Sequence, residues 1–139
     1  MQGCLSHVRV LDLSRVFAGP WAAQILADFG AEVIKVEHPA TGDDIRHMGL
    51  HRTDADGNDT GETSSFLAMN RGKRSVAIDL KAEAGQELVR RLAAEADVVV
   101  ENFKTGTLER YGLGYEDLKA VNPNLVYCSI TGFGQTGPK

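Results

Sequence analysis

The chain has 139 residues, 42% of them apolar and 24% charged, with a formal net charge of −4, which is the balance of one globular domain or a large piece of one. An acidic balance argues against a generic binder of nucleic acid or of anionic membrane, since both lean on a basic excess. No apolar run approaches the roughly 20 residues that a membrane-spanning helix needs, so neither nucleic acid nor membrane is expected as a partner.

The amino-terminal stretch MQGCLSHVRVLDLS lacks the basic region, apolar stretch and cleavage site of a secretory signal. Cys4 and Cys128 form no CxxC or metal-ligand spacing. They are expected to be buried or half-buried free thiols in a cytoplasmic protein. Residues 8–13 (VRVLDL) read as a short strand, broken by Gly19-Pro20, and Pro20 suits a first helical turn, where its missing N–H is not needed. Over 21–29 the apolar Trp21, Ala22, Ile25, Leu26 and Phe29 recur at helical spacing, and Gly30 reads as the stop. Residues 32–37 (EVIKVE) form a second strand, closed by His38-Pro39.

Residues 40–63 hold Gly42, Gly49, Gly57 and Gly61 among acidic and small polar residues, and are expected to be a long, mobile insertion. Order returns at Ser65-Phe66-Leu67, before the basic turn Asn70-Arg71-Gly72-Lys73-Arg74 and a strand over 75–80 (SVAIDL). A helix over 84–96 follows, with Leu88, Val89, Leu92, Ala93 and Ala96 in one apolar stripe. Residues 98–101 make a strand whose valines suit burial on both faces. Residues 115–121 are helical, and 125–131 (LVYCSIT) form the last strand. Strands alternating with helices predict an α/β fold with a parallel sheet.

In open parallel sheets, ligands bind outside the carboxyl ends of the strands. Those ends carry Arg15-Val16-Phe17-Ala18-Gly19-Pro20, His38-Pro39, Glu101-Asn102-Phe103-Lys104 and Thr131-Gly132-Phe133-Gly134. Aromatics, amides, bases and small residues in this mixture suit an aromatic heterocycle bearing phosphates. The first turn, SRVFAGP, lacks the G-x-G-x-x-G that brings a backbone against a dinucleotide pyrophosphate, so that route to NAD is excluded. The basic turn at 70–74 fits either a phosphate grip or a solvated face. Asp54-Ala55-Asp56-Gly57-Asn58-Asp59 has Asp59 where a calcium loop needs Gly, and reads as a solvated acidic loop. His7, His38, His47 and His51 make no metal-binding group.

Several segments resemble class III CoA transferases of the CaiB/BaiF, formyl-CoA transferase-like type. They are LDLSRVFAGP (11–20), GAEVIKVE (30–37), NRGKRS (70–75), VENF (100–103), GLGY (112–115) and YCSITGFGQTGP (127–138). They span nearly the whole chain in the family's order. The resemblance implies the N-terminal portion of a Rossmann-like large domain over 1–139 and an interlocked homodimer. Acyl-CoA and a carboxylic acid would be substrates, with no tightly bound cofactor and no metal.

It further implies covalent catalysis, in which an Asp carboxylate attacks the thioester and passes through a mixed anhydride. Coenzyme A contacts carry over to Val16, Phe17, Ala18, His38, Asn70, Arg71, Gly72, Lys73, Asn102, Phe103, Lys104 and Arg110. His38 stands where some relatives have Arg, and Phe17 where the formyl-CoA subgroup has Gln. The catalytic Asp is expected beyond Lys139, so the 139 residues alone are expected to be inactive. An α-methylacyl-CoA racemase, which would share the coenzyme site but move a proton, and a non-catalytic coenzyme A-binding fragment are the alternatives.

Overall fold

Five short strands lie side by side in one parallel sheet in the computed structural model, which describes residues 3–138. They are β1 (Arg9–Asp12), β2 (Glu32–Glu37), β5 (Arg74–Ala77), β6 (Val98–Glu101) and β7 (Val126–Ser129), in the order β5-β2-β1-β6-β7. Leu11 pairs with Ile34 on one side and with Val99 on the other, so β1 is flanked on both edges. Valines in β1, β2 and β6 are buried on both faces of the sheet, as continuous apolar runs in parallel strands require.

One face of the sheet carries α3 (Glu83–Ala94) and α4 (Tyr115–Val121), which enclose Leu11, Val36, Val89, Val99, Leu113 and Leu118. The other face carries α1 (Ala18–Asp28), packed over Val10, Val33 and Val100. This helix starts three residues earlier than its apolar spacing suggests, because Gly19 allows it to lie against Ser14. A Cβ at residue 19 would come within 2.2 Å of the Ser14 Cβ. Small residues settle the helix on the sheet: Gly19, Pro20 and Ala23 are buried. Trp21, Ile25 and Phe29, the larger apolar residues of the periodic set, remain 59%, 47% and 54% exposed. Periodicity located the helix; it did not select the face that packs.

Residues 40–63 are not one long loop. They contain a 3-10 turn (Asp44–His47) and an antiparallel pair, β3 (His51–Thr53) with β4 (Asp59–Thr63), which leads into a helix absent from the sequence reading, α2 (Ser64–Asn70). The hairpin has no apolar face, so its residues gave no alternating signal. Its turn is built by Asp54, whose carboxylate accepts from the Asp56 and Asn58 N–H groups at 2.9 Å each, as Asx turns do. Buried Thr63 ties the segment down: its hydroxyl donates to the Ile45 carbonyl at 2.9 Å and accepts from the Phe66 N–H at 3.2 Å, capping α2.

Two further expectations are corrected. The strand placed at 75–80 ends at Ala77, leaving 78–81 as a strand-end segment. Both cysteines are exposed. Cys128 pairs with Val100 in register, on the sheet face covered by α1, but it sits on the outer strand, where α1 does not reach. Among the described residues, no helix is long and apolar enough to cross a membrane.

Anchoring differs sharply along 40–63. Ile45 is fully buried, whereas Leu50 is 80% exposed and the hairpin strands expose nearly all their residues. Hydrogen exchange should therefore be fast over 50–62 and slow at Val10, Val33 and Val99. Equal protection in the hairpin and the sheet would contradict this.

Candidate functional site

The chain runs from β1 to β2 and β5 on one side of the sheet, then returns to β6 and β7 on the other. Loops leaving β1 and β6 thus part toward opposite faces, and a crevice opens at their carboxyl ends. Two bonds bridge it: the Asn102 side-chain oxygen accepts from the Arg15 N–H at 2.8 Å, and its amide donates to the Arg15 carbonyl at 2.7 Å. The Arg15 guanidinium lies over the Phe103 ring, 4.8 Å from its centroid.

Beside this bridge is a cleft of about 220 Å³. Leu13, Val36, Ile78, Leu80, Phe103 and Tyr111 supply apolar walls, and Arg15, His38, Asp43 and Lys81 line it with polar groups. An apolar slot with a few placed charges is the usual character of a small-molecule site.

Two ion pairs stand on its lining through Glu37 and Asp43, and a third, Lys73–Asp12, lies away from it at the β1–α1 connection. Glu37, at the end of β2, accepts from Arg46 Nε at 2.7 Å and Nη2 at 2.8 Å, from Ser75 Oγ at 2.6 Å and from the Asp43 N–H at 3.0 Å. Burial pushes this carboxyl up, but the Arg46, Ser75 and Asp43 hydrogen bonds outweigh it and hold it at about 2. Lys35 and Asp43, each with a side chain 1% exposed, meet at 2.7 Å, and Lys35 Nζ also donates to the Ser14 carbonyl at 3.0 Å. Lys73 and Asp12, 1% and 0% exposed, meet at 2.8 Å. Burial draws the Lys73 ammonium below its ordinary value while Asp12 pushes it back up.

The residues expected to touch coenzyme A divide into groups. His38 and Phe103 line the cleft, and Val16, Phe17 and Ala18 form the turn that follows Arg15 into α1. Asn102 and Lys104 border a neighbouring hollow that shares Phe103 as a wall. Arg110 is exposed on the short 3-10 turn Glu109–Tyr111, whose Tyr111 reaches the cleft. Asn70, Arg71, Gly72 and Lys73 are not brought to the cleft. Lys73 is spent on Asp12, the Pro20 carbonyl at 2.8 Å and the Asn70 side-chain oxygen at 3.1 Å. Arg71 pairs with Asp28, and Gly72 turns the chain at φ 75°.

Sequence reasoning missed Ile78, Asp79, Leu80 and Lys81, which line the cleft. A strand over 75–80 takes in Ile78, Asp79 and Leu80, with Lys81 just past its end, whereas β5 ends at Ala77. The same rule that singled out the other strand ends would have found them, had the strand been stopped at Ala77. It also missed Asp43, whose burial leaves no mark in an acidic, glycine-rich stretch.

The family model described as CoA-transferase family III matches residues 5–139. The chain is 56% identical over 134 residues to a succinate–glutarate CoA-transferase of Agrobacterium fabrum, covering 96% of this chain and 34% of that protein. It is 51% identical to a succinyl-CoA–D-citramalate CoA-transferase of Chloroflexus aurantiacus, covering 96% and 32%. The crystal structure of a CaiB/BaiF family protein from Brucella suis superposes with a TM-score of 0.91 at 55% identity, covering 99% of this chain and 36% of that one. The chain therefore spans about a third of the length of these relatives.

The buried charges set two expectations. Glu37 is held at about 2 against an ordinary 4.5, so its contribution is fully present above pH 4.5 and is lost as pH falls toward 2. Glu37→Gln should cost about 3 kcal/mol at pH 7 and progressively less on acidification, measured by denaturant unfolding across that range. A pH-independent difference would contradict it. Lys73→Ala, which strands the buried Asp12 carboxylate, should cost about 3–5 kcal/mol at neutral pH. A loss below about 1 kcal/mol would place that pair among weak surface contacts.

Proposed function

The chain belongs to CoA-transferase family III, and from that premise we propose that it supplies the coenzyme A site of an enzyme that moves coenzyme A from an acyl-CoA donor to a carboxylic acid. The cleft at the strand ends carries this reading. Its apolar walls, Ile78, Leu80, Phe103 and Tyr111, suit the adenine ring and the pantetheine arm. Arg15 and Lys81 on its lining, with Arg110 on the adjoining turn, suit the phosphates. His38 would contact the nucleotide at the end of β2. The turn Val16, Phe17 and Ala18, at the uncapped start of α1, would meet the thioester end, with Asn102 and Lys104 beside it.

Asn70, Arg71, Gly72 and Lys73 have a supporting role in this reading. Through Asp12 and the Pro20 carbonyl, Lys73 fixes the β1–α1 connection, and with it the surface that the thioester meets. Succinyl-CoA as donor and a dicarboxylic acid as acceptor are supported by the names of the relatives, which pair succinate or succinyl-CoA with glutarate or citramalate. The same names favour transfer over racemisation.

The chemistry would run through a carboxylate nucleophile. Attack on the donor thioester releases the coenzyme A thiolate and leaves an acyl anhydride on the enzyme. The thiolate then attacks the enzyme carbonyl and frees the first acid, and the second acid repeats both steps in reverse. Asp12, Asp43 and Asp97 are engaged in buried pairs or backbone bonds. As the family resemblance implies, the nucleophile is proposed to be an Asp outside residues 1–139, with a second subunit interlocked around the first.

Titration calorimetry with coenzyme A tests the site. Lys81→Ala and Phe103→Ala should each weaken binding about tenfold, the size expected for losing one charge-assisted or stacking contact. Lys81→Ala should lose much less against dephospho-coenzyme A if it serves the 3′-phosphate. Wild-type affinity in both variants would move the ligand out of this cleft.

A further inference from the structure

Val16 is the one non-glycine residue at positive φ, 66°, among the described residues. L residues avoid the left-handed region because Cβ crowds the following carbonyl, and a β-branched residue avoids it most. Such a conformation persists only where the surroundings over-determine it. The surroundings here are specific. Asn102 clamps the Arg15 peptide group from the β6 side. From the β2 side, the Asp43 carboxylate accepts the Val16 N–H, at 3.0 Å from Oδ1 and 3.3 Å from Oδ2.

Asp43 is itself fixed. It is 1% exposed, paired with equally buried Lys35 at 2.7 Å, and its own N–H donates to Glu37 at 3.0 Å. A buried carboxylate whose strongest partner is a buried ammonium cannot swing out to water without stranding that ammonium. We propose that Asp43 is a positioning residue: by holding the Val16 N–H it imposes the left-handed turn that sends Arg15 over Phe103 and starts α1 at Ala18. This rests on the coenzyme A reading of the cleft, since its purpose is to aim the turn at that ligand. The plainer alternative is that Asp43 only caps the following 3-10 turn, through the Ile45 N–H at 3.1 Å, and balances Lys35.

A pair of double variants separates the two in the protein that carries this sequence. Lys35→Met with Asp43→Asn removes both charges but keeps an acceptor for Val16. Lys35→Met with Asp43→Leu removes the acceptor as well. The second pair should bind coenzyme A about tenfold more weakly than the first, the scale set by the left-handed preference of a non-glycine residue. Adding Val16→Gly to the second pair should recover most of that loss, because glycine takes positive φ without being held there. A cap or counter-ion role predicts no such rescue, so equal affinities in the two pairs, or no recovery with glycine, would overturn the proposal.

Amide exchange in the unmodified protein gives a reading that needs neither variant nor ligand. The Val16 N–H should be far better protected than the neighbouring Phe17 N–H, and equal rates would overturn the proposal. Failure of the unmodified protein to bind coenzyme A would instead overturn the functional reading, with Val16 protection still deciding the role of Asp43 in the turn.

Discussion

Two ammonium groups and two carboxylates, none more than 1% exposed, meet as Lys73–Asp12 and Lys35–Asp43 behind the carboxyl ends of the sheet. Leaving one of these charges without its partner costs several kcal/mol, which far exceeds what the pair gains over a well-packed apolar equivalent. Their value is therefore in geometry. Lys73 joins the turn before β5 to the end of β1 and the first turn of α1, and Lys35 joins β2 to the Ser14 carbonyl and, through Asp43, to Val16. Four separate stretches of chain are locked into one arrangement. Any displacement of the β1–α1 connection would expose an unpaired charge to an apolar interior.

Packing then shapes what this lock has placed. The β1–α1 turn can lie close over the sheet only because residue 19 is glycine, against Ser14. Gly85 performs the same service beneath the 78–82 segment, where a Cβ would stand 2.0 Å from the Asp79 carbonyl. That close approach seats α3 under the strand-end run that forms one wall of the cleft. Ile78 is buried in the core cluster while Leu80 packs against it. The wall is thus an extension of the core, and its position is set by the same contacts that hold the sheet.

The parts of this fold that sequence reveals are those where one local preference dominates. VVVE, with three consecutive valines, and EVIKVE, with Val33, Ile34 and Val36, appear as β6 and β2 with the expected bounds, because β-branched runs suit buried parallel strands. The five-strand parallel sheet followed from the alternation of such runs. The hairpin at 51–63 was hidden because hydrogen bonding and turn chemistry, with no apolar face, build it. Lys73 shows a different limit. Its neighbours Arg71 and Arg74 pair at the surface with Asp28 and Glu32, so a basic run was a fair description of the turn. Which of three adjacent cations goes inside depends on an aspartate 61 positions away, and nothing local encodes that distance. Among the candidate site residues, those at strand ends were legible because topology places them. Those of the basic turn, which the family resemblance implies, lie away from the cleft, and charge alone does not say which way a side chain faces.

The same limit applies to the sign of the cleft. A chain with net charge −4 would be expected to repel a polyanion, and the cleft even has three carboxylates, Glu37, Asp43 and Asp79, on its lining. Glu37 and Asp43 are cancelled from behind, while the Asp79 carboxylate accepts the Lys81 N–H at 2.9 Å. Arg46 takes Glu37 in a two-pronged pair and stacks on Phe66 at 3.6 Å, and Lys35 takes Asp43 at 2.7 Å. With these two acids neutralised inside the fold, the charges left on the lining are those of Arg15, Lys81 and Asp79, a positive balance. The carboxylate paired with Arg15 is a distant Asp44, at 3.8 Å and half exposed, a contact too weak to occupy it. A positive site can thus be carved from an acidic chain by burying the partners of its carboxylates. Net charge limits the long-range approach of an anion, while these pairings decide its reception at the strand ends.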